Sequence, residues 1–239
     1  MSGTTPRPVR PDNSASSADA PHAPDNSAVD VAARGEPGTD GSDRGRPVPA
    51  TDGDLRCPWA VGTSDYLDYH DREWGRPVHG DTALFERLTL EAFQSGLSWL
   101  TILRKREGFR AAFDGFEPDA VAAYGPDDVA RLLADPGIVR NRAKITAAIA
   151  NARALVRLRD ASGDGALDRL VWSYAPPPRP APVSMSDVPA STAESAALAK
   201  ALKRHGFSFV GPTTAYATMQ AVGLVDDHLA GCAVRQGRR

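Results

Sequence analysis

Cysteine is nearly absent from this 239-residue chain: Cys57 and Cys232 are the only two, too few for a disulfide-stapled scaffold. Long apolar runs are missing as well. No stretch reaches the ~18 consecutive apolar residues of a membrane-spanning helix, and the N-terminus lacks the apolar core of a secretory signal. Residues 1–54 contain none of the four Trp, five Tyr or seven Phe, yet hold eight of the 20 prolines. A segment with so little to bury cannot offset roughly 1–2 kcal/mol of backbone entropy per ordered residue, which predicts a disordered tail over 1–54. Its acidic residues, Asp12, Asp19 and Asp25 among them, speak against a transit peptide, since such peptides are poor in acids. The expected compartment is the cytoplasm.

The remaining body, residues 55–239, is long enough for a substantial core in a single domain. Nine acids against five bases in the tail take −4 of the whole-chain −2, so the body stands at +2. That sign suits a polyanion partner without requiring one.

Helical periodicity runs from Asp81 onward and strands are hard to find, so the expected fold class is all-α. Asp81 is a candidate N-cap for a helix carrying Leu84, Phe85, Leu88 and Ala92 on one face. Ser98 is placed to cap a second, with Trp99, Ile102 and Leu103 inward and Arg104, Lys105 and Arg106 beside them. Pro126, followed by Asp127 and Asp128, opens another. Ile145, Ile149, Ala152 and Val156 mark an amphipathic helix over 141–159 that ends before Gly163. The proline-dense stretch 176–190 reads as an extended connection. Ser191 and Glu194 then have capping-box spacing for a helix ending at Gly206, and Pro212 starts a further helix closed by Gly223.

Each cysteine has a histidine near it. His228 and Cys232, four apart, fall on one side of a helix or tight turn, whereas Cys57 and His70 need a loop to meet. Two Cys and two His make a full tetrahedral zinc set with no position left for water, which implies a structural ion. On spacing alone two other readings stay open: a Cys57–Cys232 disulfide, disfavoured in a reducing cytoplasm, and two small buried apolar side chains.

Between the Pro126 helix and the long one, the chain reads Leu133-Ala-Asp-Pro-Gly-Ile-Val-Arg-Asn-Arg-Ala-Lys-Ile145. It resembles a helix-hairpin-helix element spanning about 127–159. Gly137 suits a tight turn whose backbone N–H groups face a phosphate, with Arg140, Arg142 and Lys144 adding charge. A basic helix start opposes the helix dipole, which points to an anion partner; an ordinary connection between core helices is the alternative. The hairpin is similar to that of the helix-hairpin-helix DNA glycosylases. Where bifunctional members carry a Schiff-base lysine this chain has Asn141, which implies base hydrolysis without strand cleavage. The usual catalytic aspartate of that superfamily falls near Arg159, so the role is not assigned to the neighbouring Asp160.

Four stretches carry a closer resemblance: Arg56-Cys-Pro-Trp59, Tyr66-Leu-Asp-Tyr-His-Asp-Arg-Glu-Trp-Gly75, Leu90-Glu-Ala-Phe-Gln-Ser-Gly-Leu-Ser-Trp99, and Gly206-Phe-Ser-Phe-Val-Gly211 running on to Asp227-His-Leu-Ala-Gly-Cys232. Together they resemble the DNA-3-methyladenine glycosylase I family over residues 55 to about 234. The one local departure is Pro58, at a position often held by a small residue. The resemblance implies a helix-hairpin-helix glycosylase domain over 55–239 that hydrolyses the N-glycosidic bond of 3-methyladenine in double-stranded DNA. It also implies one structural zinc ion on Cys57, His70, His228 and Cys232, joining the two ends of the body.

The same resemblance assigns roles. Methylation makes the base cationic and weakens its glycosidic bond, so recognition carries much of the work; each cation–π contact is worth roughly 0.5–2 kcal/mol. Glu91 is then the catalytic, base-reading carboxylate, with Tyr69 and Trp99 lining the pocket, Trp59 stacking on the base, and Tyr66 and Trp74 weaker candidates. Gly96 and Leu97 form a wedge that fills the gap left by a flipped base, with Gln94 toward the opposite strand. Periodicity alone leaves Glu91 either on an outer face or purposely buried, the tryptophans as plain core, and Leu97 as a buried turn residue. A monomer is the default for a protein wrapping one lesion. Two other functions fit parts of the pattern: a non-catalytic damaged-DNA-binding module with structural zinc, and a zinc hydrolase with water on the metal.

Overall fold

Residues 45–237 are described in a computed structural model. The tail expectation for residues 1–44 lies outside the described residues. Residues 45–54 correct its boundary. Val48–Pro49 (β1) and Leu55–Arg56 (β2) pair antiparallel, with Val48 opposite Arg56. Gly45 accepts from the Met185 N–H at 2.8 Å, and Pro47 lies against Gly231. Pro47, one of the prolines that suggested disorder, thus helps seat this hairpin on the C-terminal part of the body.

The rest is helical, as expected. Thr63 caps α1 (Ser64–Arg72) by accepting from the Tyr66 N–H at 3.3 Å. Next comes α2 (Asp81–Gln94), and after a turn Ser98 caps α3 (Trp99–Ala112) as the sequence predicts, accepting from the Thr101 N–H. A short α4 (Pro118–Ala122) leads to α5 (Pro126–Ala134) and then α6 (Arg142–Ser162), which stops at Gly163 with φ +80°. The order closes with α7 (Ala166–Trp172), α8 (Ala193–Arg204), α9 (Pro212–Ala221) and α10 (Ala233–Gln236).

At the centre lies α2, packed against α3, α6, α7 and α9, and every residue from Leu88 to Phe93 is buried. A helix enclosed on several sides has no outer face in its last turns, which is why a one-sided apolar stripe describes only its start. Phe93, Phe109, Phe113 and Phe116 stack and cross beside it to fill the core.

Two caps differ from expectation. Asp81 is the first residue of α2 rather than its cap, because its carboxylate accepts from the N–H groups of Gly165 (3.1 Å) and Asp168 (3.0 Å) at the start of α7. Asp168 in turn accepts from Gly80 N–H at 2.9 Å, so two helix starts hold each other. For α8 the cap is Thr192 with Ser195, shifted by one from Ser191 and Glu194. The two hydroxyls accept from each other's backbone N–H at 3.2 and 2.9 Å, an exchange that the shorter serine completes in place of glutamate.

Candidate functional site

Glu91 occupies the last full turn of α2 and is only 6% exposed. Burial pushes its pKa up to about 8, opposed by the Arg87 guanidinium one helical turn earlier. Tyr69, from α1, is buried near enough that Glu91 adds to what burial already does, and the phenol is raised well above its ordinary range. Trp99, first residue of α3, meets Tyr69 with ring centroids 5.3 Å apart, and its buried indole N–H has no acceptor among the described residues. Tyr69 thus joins two groups from neighbouring elements, the buried Glu91 carboxyl of α2 and the Trp99 ring of α3.

Aromatic rings continue outward from there. Trp59 lies 6.4 Å from Tyr69, edge-on to Tyr66 at 5.8 Å and to Trp74 at 5.1 Å. Tyr66 is fixed by accepting the Leu100 N–H at 3.0 Å, which ties α1 to the start of α3. Trp74, in contact with Trp59, also lies against His228, at 4.7 Å. It joins the aromatic group to a second cluster.

That cluster is Cys57, His70, His228 and Cys232, all fully buried. The donor atoms of Cys57, His70 and Cys232 lie within 4.8 Å of one another. His228 stands beside this trio, its ring 4.7 Å from that of His70 and its Nε2 facing the His70 carbonyl. Both cysteines are free thiols, so the disulfide reading fails. The link between His228 and Cys232 is a tight turn, not a helix: Cys232 N–H donates to Leu229 O at 2.9 Å.

Donor chemistry suits a cation. Each histidine turns Nδ1 to a carboxylate, His70 to Asp71 at 2.7 Å and His228 to Asp226 at 2.8 Å, which leaves Nε2 for a ligand. Arg56 holds Asp71 and Arg235 holds Asp226. Cys57 receives the Leu229 N–H and gives its proton toward Cys232, whose pKa is lowered by that bond and by His70. Cys57 is correspondingly raised. Sequence reading missed these supports, although an Asp next to His70 and another two residues before His228 are the signal that could have found them.

The Gly96–Leu97 turn is exposed. Gly96 has φ +79°, a left-handed conformation that favours glycine, and Leu97 beyond it is exposed, so Leu97 is not a buried turn residue. Gln94 is half-buried and accepts the Leu97 N–H at 2.7 Å through its carbonyl.

At the α5–α6 connection Arg140 and Arg142 are exposed, and Asn141 caps α6 by accepting from Lys144 N–H at 3.1 Å. Gly137 lies in a tight turn, its own N–H donating to Asp135 Oδ1 at 2.7 Å, and the turn packs so closely that a Cβ on Gly108 of α3 would meet Gly137 O at 2.5 Å. One expectation needs correction here. Lys144 turns inward, because carbonyls left over at the end of α2 attract its ammonium: it donates to Phe93 O at 2.9 Å and Ser95 O at 2.5 Å. Arg159 pairs with Asp119 far along α6, and Asp160 is exposed there.

Comparison with known proteins agrees with this geometry. The family described as methyladenine glycosylase matches residues 59–236. The chain belongs to the methyladenine glycosylase family. It is 46% identical over 186 residues to DNA-3-methyladenine glycosylase 1 of Escherichia coli K12, covering 77% of this chain and 98% of that protein. It is 44% identical to the Haemophilus influenzae DNA-3-methyladenine glycosylase over 180 residues, 74% of this chain and 96% of the other. Among solved structures, a crystal structure of 3-methyladenine DNA glycosylase I aligns at TM-score 0.71 with 47% identity, over 74% of this chain and 98% of that one. The Staphylococcus aureus enzyme, studied for its recognition of 3-methyladenine, aligns at TM-score 0.69 with 38% identity, over 74% and 95%. The family match leaves residues 1–58 aside.

Proposed function

We propose that this chain is a monofunctional DNA-3-methyladenine glycosylase that removes the base from double-stranded DNA. The observation that carries the reading is Glu91, a buried carboxyl whose pKa burial pushes up to about 8, near Tyr69, whose ring meets that of Trp99, in a chain of this family. The buried indole N–H of Trp99 has no acceptor among the described residues. A flipped cationic purine supplies what is missing: rings for Tyr69, Trp99 and Trp59 to face, an amine to donate to Glu91, and positive charge that favours the ionised carboxylate. Base binding therefore expels the Glu91 proton.

In the reaction, water adds its hydroxyl to C1′ and gives up its proton to solvent. The C1′–N9 bond breaks, and its electron pair neutralises the departing methylated base. Glu91 holds the base through this step and stabilises its positive charge. Asn141, engaged as the α6 cap, offers no amine for a Schiff base, which favours hydrolysis without strand cleavage.

DNA contact is assigned to the α5–α6 connection as a helix-hairpin-helix element. The N–H groups of Ile138, Val139 and Arg140 have no acceptor among the described residues, and Arg140 and Arg142 flank them in the open. Leu97 is the plug, with Gly96 and Gln94 shaping its turn. The ligand set Cys57, His70, His228 and Cys232 would hold one zinc ion that supplies structure, since four protein donors leave no place for water. A monomer of the body acting in the cytoplasm completes the reading; no helix among the described residues is long and apolar enough to cross a membrane. The test is release of free base: methylated duplex DNA should lose 3-methyladenine to the protein, while binding with no release would leave only a damage-sensing module.

A further inference from the structure

Lys144 was grouped with the phosphate-facing cations, yet its ammonium points the other way. It is half-buried at the third position of α6, and it donates to Phe93 O at 2.9 Å and Ser95 O at 2.5 Å, at the very end of α2. Those carbonyls belong to the negative end of the α2 dipole and have no helical partner of their own. The next residues are Gly96, at φ +79°, and the exposed Leu97. One side chain therefore spans from the hairpin helix to the turn that carries the wedge.

The other flank of that turn is tied to the hairpin too. Lys105, on α3, donates to Pro136 O at 2.6 Å, and Gly108 lies so close beneath Gly137 that even a methyl group would collide. Thus α2 ends on Lys144, α3 sits against Pro136 and Gly137, and the wedge turn is the segment between them.

We infer that Lys144 is a positioning residue that locks the Leu97 wedge turn to the hairpin, so that gripping the DNA backbone and plugging the vacated stack are done by one rigid unit. This rests on the glycosylase reading above. A plug inserted with an error of about 1 Å costs up to roughly a hundredfold in rate, because the base must be held out of the helix while its bond is hydrolysed. The locking uses charge that a phosphate contact would otherwise claim, so the two roles predict different salt behaviour.

The variant Lys144→Met keeps length and apolar packing and removes the ammonium. Three quantities should be measured on it and on the parent protein: single-turnover release of 3-methyladenine from methylated duplex, affinity for free 3-methyladenine, and the slope of log affinity for undamaged duplex against log salt. The expected result is a roughly tenfold to hundredfold slower release with free-base affinity and salt slope unchanged. A slope shallower by about one charge would make Lys144 a phosphate contact and overturn the inference. So would unchanged release, or a loss of free-base affinity equal to the loss of release, which would mark general damage. If Lys144→Met does not fold, Lys105→Met probes the opposite flank, with the same pattern expected and the same outcomes decisive. Absence of release by the parent protein would instead remove the glycosylase reading itself.

Discussion

Glu91 sets the pH behaviour of the protein. Its folded pKa, about 8, lies above the ordinary 4.5, so the stability it contributes is fully present below about 4.5 and is lost as pH rises through about 8. Glu91→Gln keeps the shape without the charge, so its melting temperature should overtake that of the parent protein as pH climbs toward 9; a gap independent of pH would mean the carboxyl ionises freely. The same substitution should slow excision of the cationic base by roughly tenfold to a hundredfold, the worth of a hydrogen bond to a charged group. Excision by the parent should rise with pH and level off above about 8, since below it a proton must leave when the base binds. Residue types at this site were legible through a motif resemblance, but the burial of Glu91 was not. Amphipathic periodicity presumes an outer face, and the last turns of α2 have none. Lys144 was misread for a related reason: charge near a helix start is visible in sequence, while the direction of a long flexible side chain is not.

Among the elements, starts and stops were the most readable feature. Ser98, Pro126, Gly163 and Pro212 mark boundaries where the structure has them, because capping is local chemistry. Asp81 and Ser191 were misassigned because the acceptor was shared with a distant helix in one case and shifted one residue in the other. The hairpin's position against α3 depends on contact across the fold and could not be read locally. Gly108→Ala tests that contact. Its Cβ would lie 2.5 Å from Gly137 O, a backbone atom with little freedom to move, so a loss of about 1–3 kcal/mol is expected by chemical denaturation, together with weaker duplex binding. Unaltered stability would mean that the hairpin is loosely held.

Across the described body, residues from its two ends meet at the Cys57, His70, His228 and Cys232 cluster, and the β1–β2 pair adds residues that composition had given to the tail. Proline content signals a chain that cannot be helical, but it does not separate disorder from an extended segment packed on a core. A metal joining residues 57 and 232 closes most of the body into one loop, and Cys232→Ser should lower both bound zinc and the melting temperature, with a loss of up to roughly 4–5 kcal/mol. Full zinc content in that variant would remove Cys232 from the ligand set. Trp59 and Trp74 link this cluster through ring contacts to Tyr69, beside Glu91. The most direct test of the account is chromatography of the bases freed from methylated duplex DNA. The account predicts free 3-methyladenine from the parent protein, an unbroken strand, and far less free base from Glu91→Gln; methylated DNA that is bound but keeps its base would contradict it.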